Sequence, residues 1–450
     1  MSGVRIRMYR QGLGDSFLLT FPKGRGSQHV LIDSGVLLGT ADAATKMKAV
    51  AQNVVEVTGG KLDVLVATHE HWDHLSGFVQ AQEEFEKLEI GEVWLAWTED
   101  PSDELAGELR AHKRQALAAV STAAQHLAAS GDEDAVASAE RLGGLLGFFG
   151  DLGAAGSGST ETALEWVKGR TPNIRYLRPG DLLSELGVRV YVLGPPHDRA
   201  LIKRSDPSKK TPEVYELADT EPALGLLAAV AALGQEGEPG RQPFARWYKL
   251  TDEEAKAEPL FSECYDKPDL RWRTIENDWL GAAGPLALKL DSDTNNTSLA
   301  LAFELSDGGP VLLFPGDAQV GNWLSWESVE FADATEVTAA DLLARTVLYK
   351  VGHHASHNAT LREKGLELMT SSDLAAMIPV NRAMAKKKRW KMPFPPLFKR
   401  LNERTMGRVL DAEEGLSGTK ADALPAAKWQ DFLDRCDVQP GWIDYTVEFE

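Results

Sequence analysis

Cysteine is nearly absent: Cys264 and Cys436 are the two in 450 residues. This excludes a disulfide framework and a zinc module built on cysteine, and it predicts a reducing, cytoplasmic setting. Long apolar runs are missing as well. The most apolar stretch, Ala223 to Leu233, falls well short of the roughly 20 residues that cross a bilayer, so it is expected to be a buried helix and no membrane partner is expected. The opening MSGVRIRMYRQG has no apolar core after its basic start, which predicts no secretory signal. Basic charge is in short supply, with 48 Lys and Arg against 67 Asp and Glu and a net charge of −19. That balance disfavours a general nucleic-acid coat or a binder of anionic membranes, although it leaves room for a local basic patch. No fixed-period repeat, Walker loop or dinucleotide glycine fingerprint is present, Gly12-x-Gly14 being too short for one.

What remains is a globular balance, 43% hydrophobic and 26% charged. The length exceeds the usual domain size of about 100–200 residues, so the chain holds either one large decorated domain or two. Val4, Ile6 and Met8 alternate with Arg5 and Arg7, the period of a half-buried strand. Strands are predicted next at Ser16 to Phe21, Val30 to Ile32 and Asp63 to Ala67, with a helix over Asp42 to Val57; strand, crossover helix, strand implies an α/β architecture. From about Pro101 to Lys168 the spacing turns helical, with Leu105, Leu109, Ala116, Val120, Ala124 and Leu127 on one face. Strands are expected again at Val188 to Leu193, Leu286 to Leu290, Ser298 to Leu305, Pro310 to Phe314, Thr346 to Val351 and Ala375 to Val380.

Histidine carries the chemical signal. Six of the ten fall in two windows, His69, His71 and His74 in THEHWDH and His353, His354 and His357 in KVGHHASH. Imidazoles clustered beside carboxylates point to a metal site. The first window packs four ligand-type side chains, Asp73 included, into six residues directly after a buried strand. A second strand end carries Asp317 in VLLFPGDA and a third carries His353. Nitrogen and oxygen donors without cysteine suit Zn²⁺, Mn²⁺ or Fe.

These motifs resemble those of metallo-β-lactamase-fold hydrolases. The resemblance lies in Thr68 to His74, in FPGD at Phe314 to Asp317 and in VGHHAS at Val351 to Ser356, with GLGDSFLL at Gly12 to Leu19 and HVLIDSG at His29 to Gly35 similar to the family's opening strands. Together they are most similar to the subgroup that includes the hydrolase domain attached to bacterial competence channels. The resemblance covers about residues 1–100, 175–200 and 286–380. It implies a four-layer αββα sandwich over residues 1–380, with large helical insertions at about 101–175 and 205–284, and with residues 381–450 as a C-terminal basic and aromatic stretch and tail packed on the domain.

The resemblance also implies two divalent metal ions, Zn²⁺ first and Mn²⁺ second in expectation. His69 and His71 would hold one ion, Asp73 and His74 the other, Asp317 would bridge them, and His353 would complete the second site. Asp73 would orient the attacking water, and His354 would stand behind a ligand or touch substrate. Ser356 and His357 are expected to fix the loop. Many family members add a third histidine to the first ion from the turn that here reads DSDTNNTS, where this chain has Asn295 or Asn296. Asn296 is therefore either a weak ligand or a turn cap, and His197 in GPPHD is a rival donor.

Two further features bear on substrate. Arg382 to Arg400 holds eight Lys or Arg and no acid, interleaved with Trp390, Phe394 and Phe398. Lys387, Arg389 and Trp390 are the candidate contacts to a single-stranded nucleic acid or polyphosphate, the alternative being a solvated loop pinned by its aromatic rings. Trp94, Trp97, Trp272 and Trp279 are expected to be core anchors rather than groove-lining residues. The expectation is a metal-dependent phosphodiesterase or nuclease on DNA or RNA. The alternatives are a hydrolase of a small ester, lactone or phosphocholine-type substrate, and a non-enzymatic interaction protein. Regulation by a partner protein or protease acting on the insertions is also expected, with Gly153 to Ser159 and Gln235 to Pro243 as the exposed segments.

Overall fold

The computed structural model describes residues 2–130, 133–150, 158–204, 250, 252–264 and 283–449. Ala223 to Leu233, Gln235 to Pro243, residues 153–157, Trp272 and Trp279 lie outside them.

Two eight-stranded sheets form the frame. The first contains β1 (Ser2–Tyr9), β2 (Ser16–Lys23), β3 (Gly26–Ser34), β4 (Lys61–Ala67), β5 (Glu89–Ala96) and β6 (Ile174–Leu177), in that spatial order. The second runs backwards from β14 (Gly415–Leu416) through β13 (Val409–Asp411), β12 (Ala375–Ile378), β11 (Thr346–Lys350), β10 (Val311–Phe314), β9 (Ala300–Glu304) and β8 (Arg189–Gly194) to β7 (Leu182–Leu183). The last two strands, β15 (Cys436–Val438) and β16 (Trp442–Phe449), join the first sheet beyond β1.

Alternation along the strands sorts side chains into layers. Val4, Ile6, Val30, Ile32, Val64 and Val66 from the first sheet meet Val190, Leu301, Phe303, Leu312 and Leu348 from the second in one central core. Leu31, Leu65 and Ala67, at the intervening positions, pack outward against Met47, Val50 and Val54 of the helix Ala43–Thr58 and Leu75 and Phe78 of the helix Trp72–Gln80. On the far side of the second sheet, Tyr191 meets Phe331 edge to face and Tyr349 meets Trp323 of the helix Val320–Ser325. The layers are thus helix, sheet, sheet, helix, a mixed α/β sandwich. Each large apolar side chain buried here contributes about 1.5–3 kcal/mol. Trp94 and Trp97 are fully buried.

Residues 381–450, set apart in the sequence as a tail, are woven into both sheets. β16 pairs antiparallel with β1 along its whole length, Ser2 opposite Phe449 and Tyr9 opposite Trp442. Arg7 adds a bidentate pair to Asp444, at 2.7 and 2.6 Å. β13 extends the second sheet beside β12.

One strand expectation fails. Leu286 to Leu290 lies within a helix, Ala283–Asn295. Leu286, Ala287 and Leu290 are buried while Leu288 is 44% exposed, which is a helical face; five residues with apolar side chains at four positions cannot by themselves distinguish the two periods.

By contacts the chain divides into two units, Met1–Ala111 with Leu146–Thr220 and Lys289–Glu450, and His112–Leu145 with Glu221–Leu288. The sandwich belongs to the first. The second holds most of the helix Glu104–Ala129, the helix Glu133–Leu146, and the short helices Asp252–Ala257 and Pro259–Cys264. No described helix is long and apolar enough to cross a membrane.

Candidate metal centre

Parallel strands end where the candidate ligands begin. β3 and β4 run parallel, as do β10 and β11, and their carboxyl ends deliver Asp33, Thr68 to His71, Asp317 and His353 to His354. Beyond such carboxyl ends is where open α/β sheets bind ligands.

The first window is shaped by close backbone packing. Gly14, with φ near +150°, could not carry a Cβ, which would stand 2.6 Å from the Asp73 carbonyl oxygen. Gly35 is equally confined by the backbone of Asp73 and His74. His71 takes the N-cap position of the helix Trp72–Gln80 in extended conformation, without spending its ring on the cap. Asp73 follows in the first turn, where the helix dipole favours a negative charge.

Asp33 sets the orientation of His74. Its carboxylate accepts the Thr68 N–H at 2.8 Å and the Thr68 hydroxyl at 2.7 Å, and lies 2.8 Å from His74 Nδ1. Nδ1 is thereby the protonated nitrogen, and Nε2 is turned to the interior. Thr68 Oγ1, its proton given to Asp33, is the acceptor 3.1 Å from His69 Nδ1, leaving His69 Nε2 free to face His71 Nδ1 at 3.0 Å.

The second window turns sharply. His353, His354 and Ala355 all take left-handed φ, at 42°, 51° and 61°, each at a cost of about 1–3 kcal/mol of a kind that collects at functional sites. The turn is held by the His353 N–H donating to Asp317 Oδ1 at 2.8 Å and the Phe394 N–H donating to the Ala355 carbonyl at 2.7 Å. It aims His354 inward: Nδ1 lies 2.6 Å from the Pro379 carbonyl and Nε2 lies 2.9 Å from Asp73 Oδ2.

The structure brings Asp73, His74, Asp317 and His354 together, with one ligand atom from each all within 4.8 Å of one another. His74 Nε2 lies 3.2 Å from Asp317 Oδ2. His353 was the expected member of this group. Its imidazole instead meets Ser356 Oγ at 2.9 Å and Gln319 Nε2 at 3.3 Å through Nδ1. Ser356 also donates to Asn358 at 2.7 Å, and His357 packs on Phe394.

Asn296 is turned away from the cluster. Its amide nitrogen donates to the Ile202 and Arg204 carbonyls at 3.0 and 2.9 Å, and its oxygen accepts the Asn322 N–H at 3.2 Å. His197 is elsewhere, 2.9 Å from Asp103 and against Trp97. Lys387 and Arg389 are exposed at the end of the helix Arg382–Lys387. Trp390 stacks on Phe148, with ring centroids 5.1 Å apart and planes at 18°. Phe148 lies 5.5 Å from the ring of His71.

Besides Asp33, three residues not singled out in the sequence join the site. Lys350 is buried, donates to the Gly316 carbonyl at 2.9 Å and to Asp317 Oδ1 at 3.2 Å, and pairs with Asp15. Asp291 places Oδ1 3.8 Å from His71 Nε2. Asp15 and Lys350 sat unremarked inside GLGDSFLL and KVGHHASH, and Asp291 inside DSDTNN.

Electrostatics show what the cluster calls for. Burial holds His69 well below the ordinary range and brings His71 down to about 3, so both rings are neutral with lone pairs available. Burial also opposes charge on His74, yet Asp317, Asp15, Asp33 and Asp73 hold it well above the usual imidazole range. Burial pushes Asp291 up to about 8, with Asp73 and Asp317 adding to the shift. Buried atoms without a hydrogen-bond partner include His71 Nε2, Asp73 Oδ1, His74 Nε2, Asp15 Oδ1 and Asp291 Oδ1. Orphaned donors and acceptors of this kind are costly unless something binds them, and a His and Asp set suits a divalent metal ion.

Residues 9–102 match the model of the Metallo-beta-lactamase superfamily. That span includes His69 to His74 and stops short of Asp317 and His354. No curated protein matches the chain.

Proposed function

We propose that this chain is a metal-dependent hydrolase of phosphodiesters, acting on DNA or RNA. The observation that carries the substrate reading is the contact series from Trp390 to Phe148 to His71, by which Trp390 of the basic run Lys386 to Lys391 is one ring away from a candidate ligand. The Phe394 N–H on the Ala355 carbonyl ties the chain just beyond the run to the His354 turn. Exposed cations next to an aromatic face suit a strand of phosphates and bases.

The superfamily match supports hydrolysis as the reaction class. His69 Nε2 and His71 Nδ1 would hold the first ion. Asp73, His74, Asp317 and His354 would hold the second, His354 taking the place expected of His353 because the left-handed turn aims its ring inward. Among the described residues of the site, Asp15, Asp33, Asp73, Asp291 and Asp317 are five buried carboxylates beside one buried ammonium, Lys350, a donor set that suits bound cations.

Such ions supply Lewis acidity toward phosphoryl oxygen and acidify water. The protein's own share is positioning. Asp73 Oδ2 is fixed by His354, so its unpartnered Oδ1 is placed to accept a proton from an attacking water. Lys350 and the His353 N–H hold Asp317 Oδ1, leaving Oδ2 toward His74. The basic run would hold the phosphates on either side of the reacting one.

The test is metal content by elemental analysis together with a cleavage panel of plasmid, single-stranded DNA and RNA and a small phosphodiester, with Zn²⁺ or Mn²⁺, comparing Asp73→Ala. Metal-dependent cleavage of nucleic acid that is lost in Asp73→Ala is the expected result. Turnover of small esters alone would transfer the site to small-molecule hydrolysis.

A further inference from the structure

Asp291 is a buried carboxylate with an oxygen that has no hydrogen-bond partner, 3.8 Å from an imidazole nitrogen that also has none. The two sides of the His71 ring do different things. Nδ1 faces His69 Nε2 at 3.0 Å, and Nε2 faces Asp291 Oδ1. A neutral imidazole carries one N–H, so a metal ion on Nδ1 forces the proton onto Nε2. That N–H is buried and needs an acceptor, and a ligating histidine commonly finds a carboxylate there.

We propose that Asp291 is the positioning residue of the first metal site, the acceptor for His71 Nε2–H that fixes the ring with Nδ1 toward the ion; this rests on the dinuclear reading above. The helix Ala283–Asn295 supplies the means. Asp291 and Asn295 lie one turn apart on it, and Asn295 Nδ2 donates to Asp291 Oδ2 at 3.4 Å, steadying one carboxylate oxygen while the other meets His71. The DSDTNN segment, the last turn of this helix, thus serves the first ion through His71. Asp293, two residues on, is engaged with Lys289 at 2.8 Å instead and is the natural control.

The test measures ion affinity by chelator competition and follows the ring N–H of His71 by NMR of ¹⁵N-histidine-labelled, Zn²⁺-loaded protein. Wild type should hold two ions and show a slowly exchanging His71 N–H. Asp291→Ala should weaken the first ion about 10- to 100-fold, leave the second unchanged and lose that resonance. Asp293→Asn should match wild type. Asn295→Ala, which keeps the carboxylate but frees it, should lie between the two and serves if Asp291→Ala does not fold. If Asp291→Ala holds both ions with wild-type affinity and keeps the resonance, the inference is overturned while the metal reading stands. A wild-type chain that binds no ion overturns both.

Discussion

His74 and Asp33 are joined by a buried 2.8 Å contact at Nδ1, and this contact decides which nitrogen of His74 faces Asp317. The same carboxylate holds Thr68, and through Thr68 the ring of His69. One aspartate at the end of β3 thus orients histidines assigned to both ions. Replacing Asp33 by Asn puts an amide N–H₂ where acceptors are needed. Metal affinity should fall about 10- to 100-fold for both ions, measured by chelator competition, with the fold retained by circular dichroism.

Lys350 is the buried lysine that pairs with both Asp15 and Asp317. Burial works against its charge, but the two carboxylates hold the ammonium well above its usual range. Lys350→Met leaves both carboxylates buried without that cation, a change that costs about 3–5 kcal/mol in comparable pairs. Urea denaturation of the metal-free protein should show this loss. A shift below about 1 kcal/mol would show that the pairing contributes little.

The basic run makes a prediction in salt. Binding of single-stranded DNA by the chelated protein should weaken linearly in log[salt]. The double substitution Lys387→Ala and Arg389→Ala should reduce the slope by about 0.7 for each phosphate that the protein ceases to neutralise. An unchanged slope would mean that neither side chain meets phosphate.

Acid should loosen the hydrogen bonds of Asp103. Burial raises its pKa, but the Ala106 N–H, His197 and Arg178 outweigh that and bring it down to about 2. A carboxylate lowered in the folded state stabilises the fold above its unfolded value near 3.9, and that contribution is lost as pH falls toward 2. The Tm of wild type should therefore fall more steeply than that of Asp103→Asn between about pH 4 and pH 2. Parallel curves would remove Asp103 from the acid response.

Local pattern made much of this protein readable. Val4, Ile6 and Met8 announced β1 by alternation, and Asp63 to Ala67 announced β4 by its unbroken apolar run. Four ligand-type residues within His69 to His74 converge because a loop leaving a buried strand must turn within a few residues, which is a local fact. Sequence reading went astray where two local periods agree over a short span, as at Leu286 to Leu290, and where a partner lies far along the chain.

The sequence by itself determined the clustering of ligand-type side chains in both histidine windows and the succession of strands and helices, since each follows from local spacing, while the layered sandwich was what the family resemblance implied. Tertiary structure alone decided that His354 rather than His353 meets Asp73, 281 positions away, that Lys350 sits among the carboxylates, that Asp291 faces His71, and that the last strand pairs with the first. Those pairings depend on which strand ends the sandwich brings together and on a left-handed turn that rotates two adjacent histidines in different directions. Periodicity reports which face a side chain takes; only packing reports what it finds there.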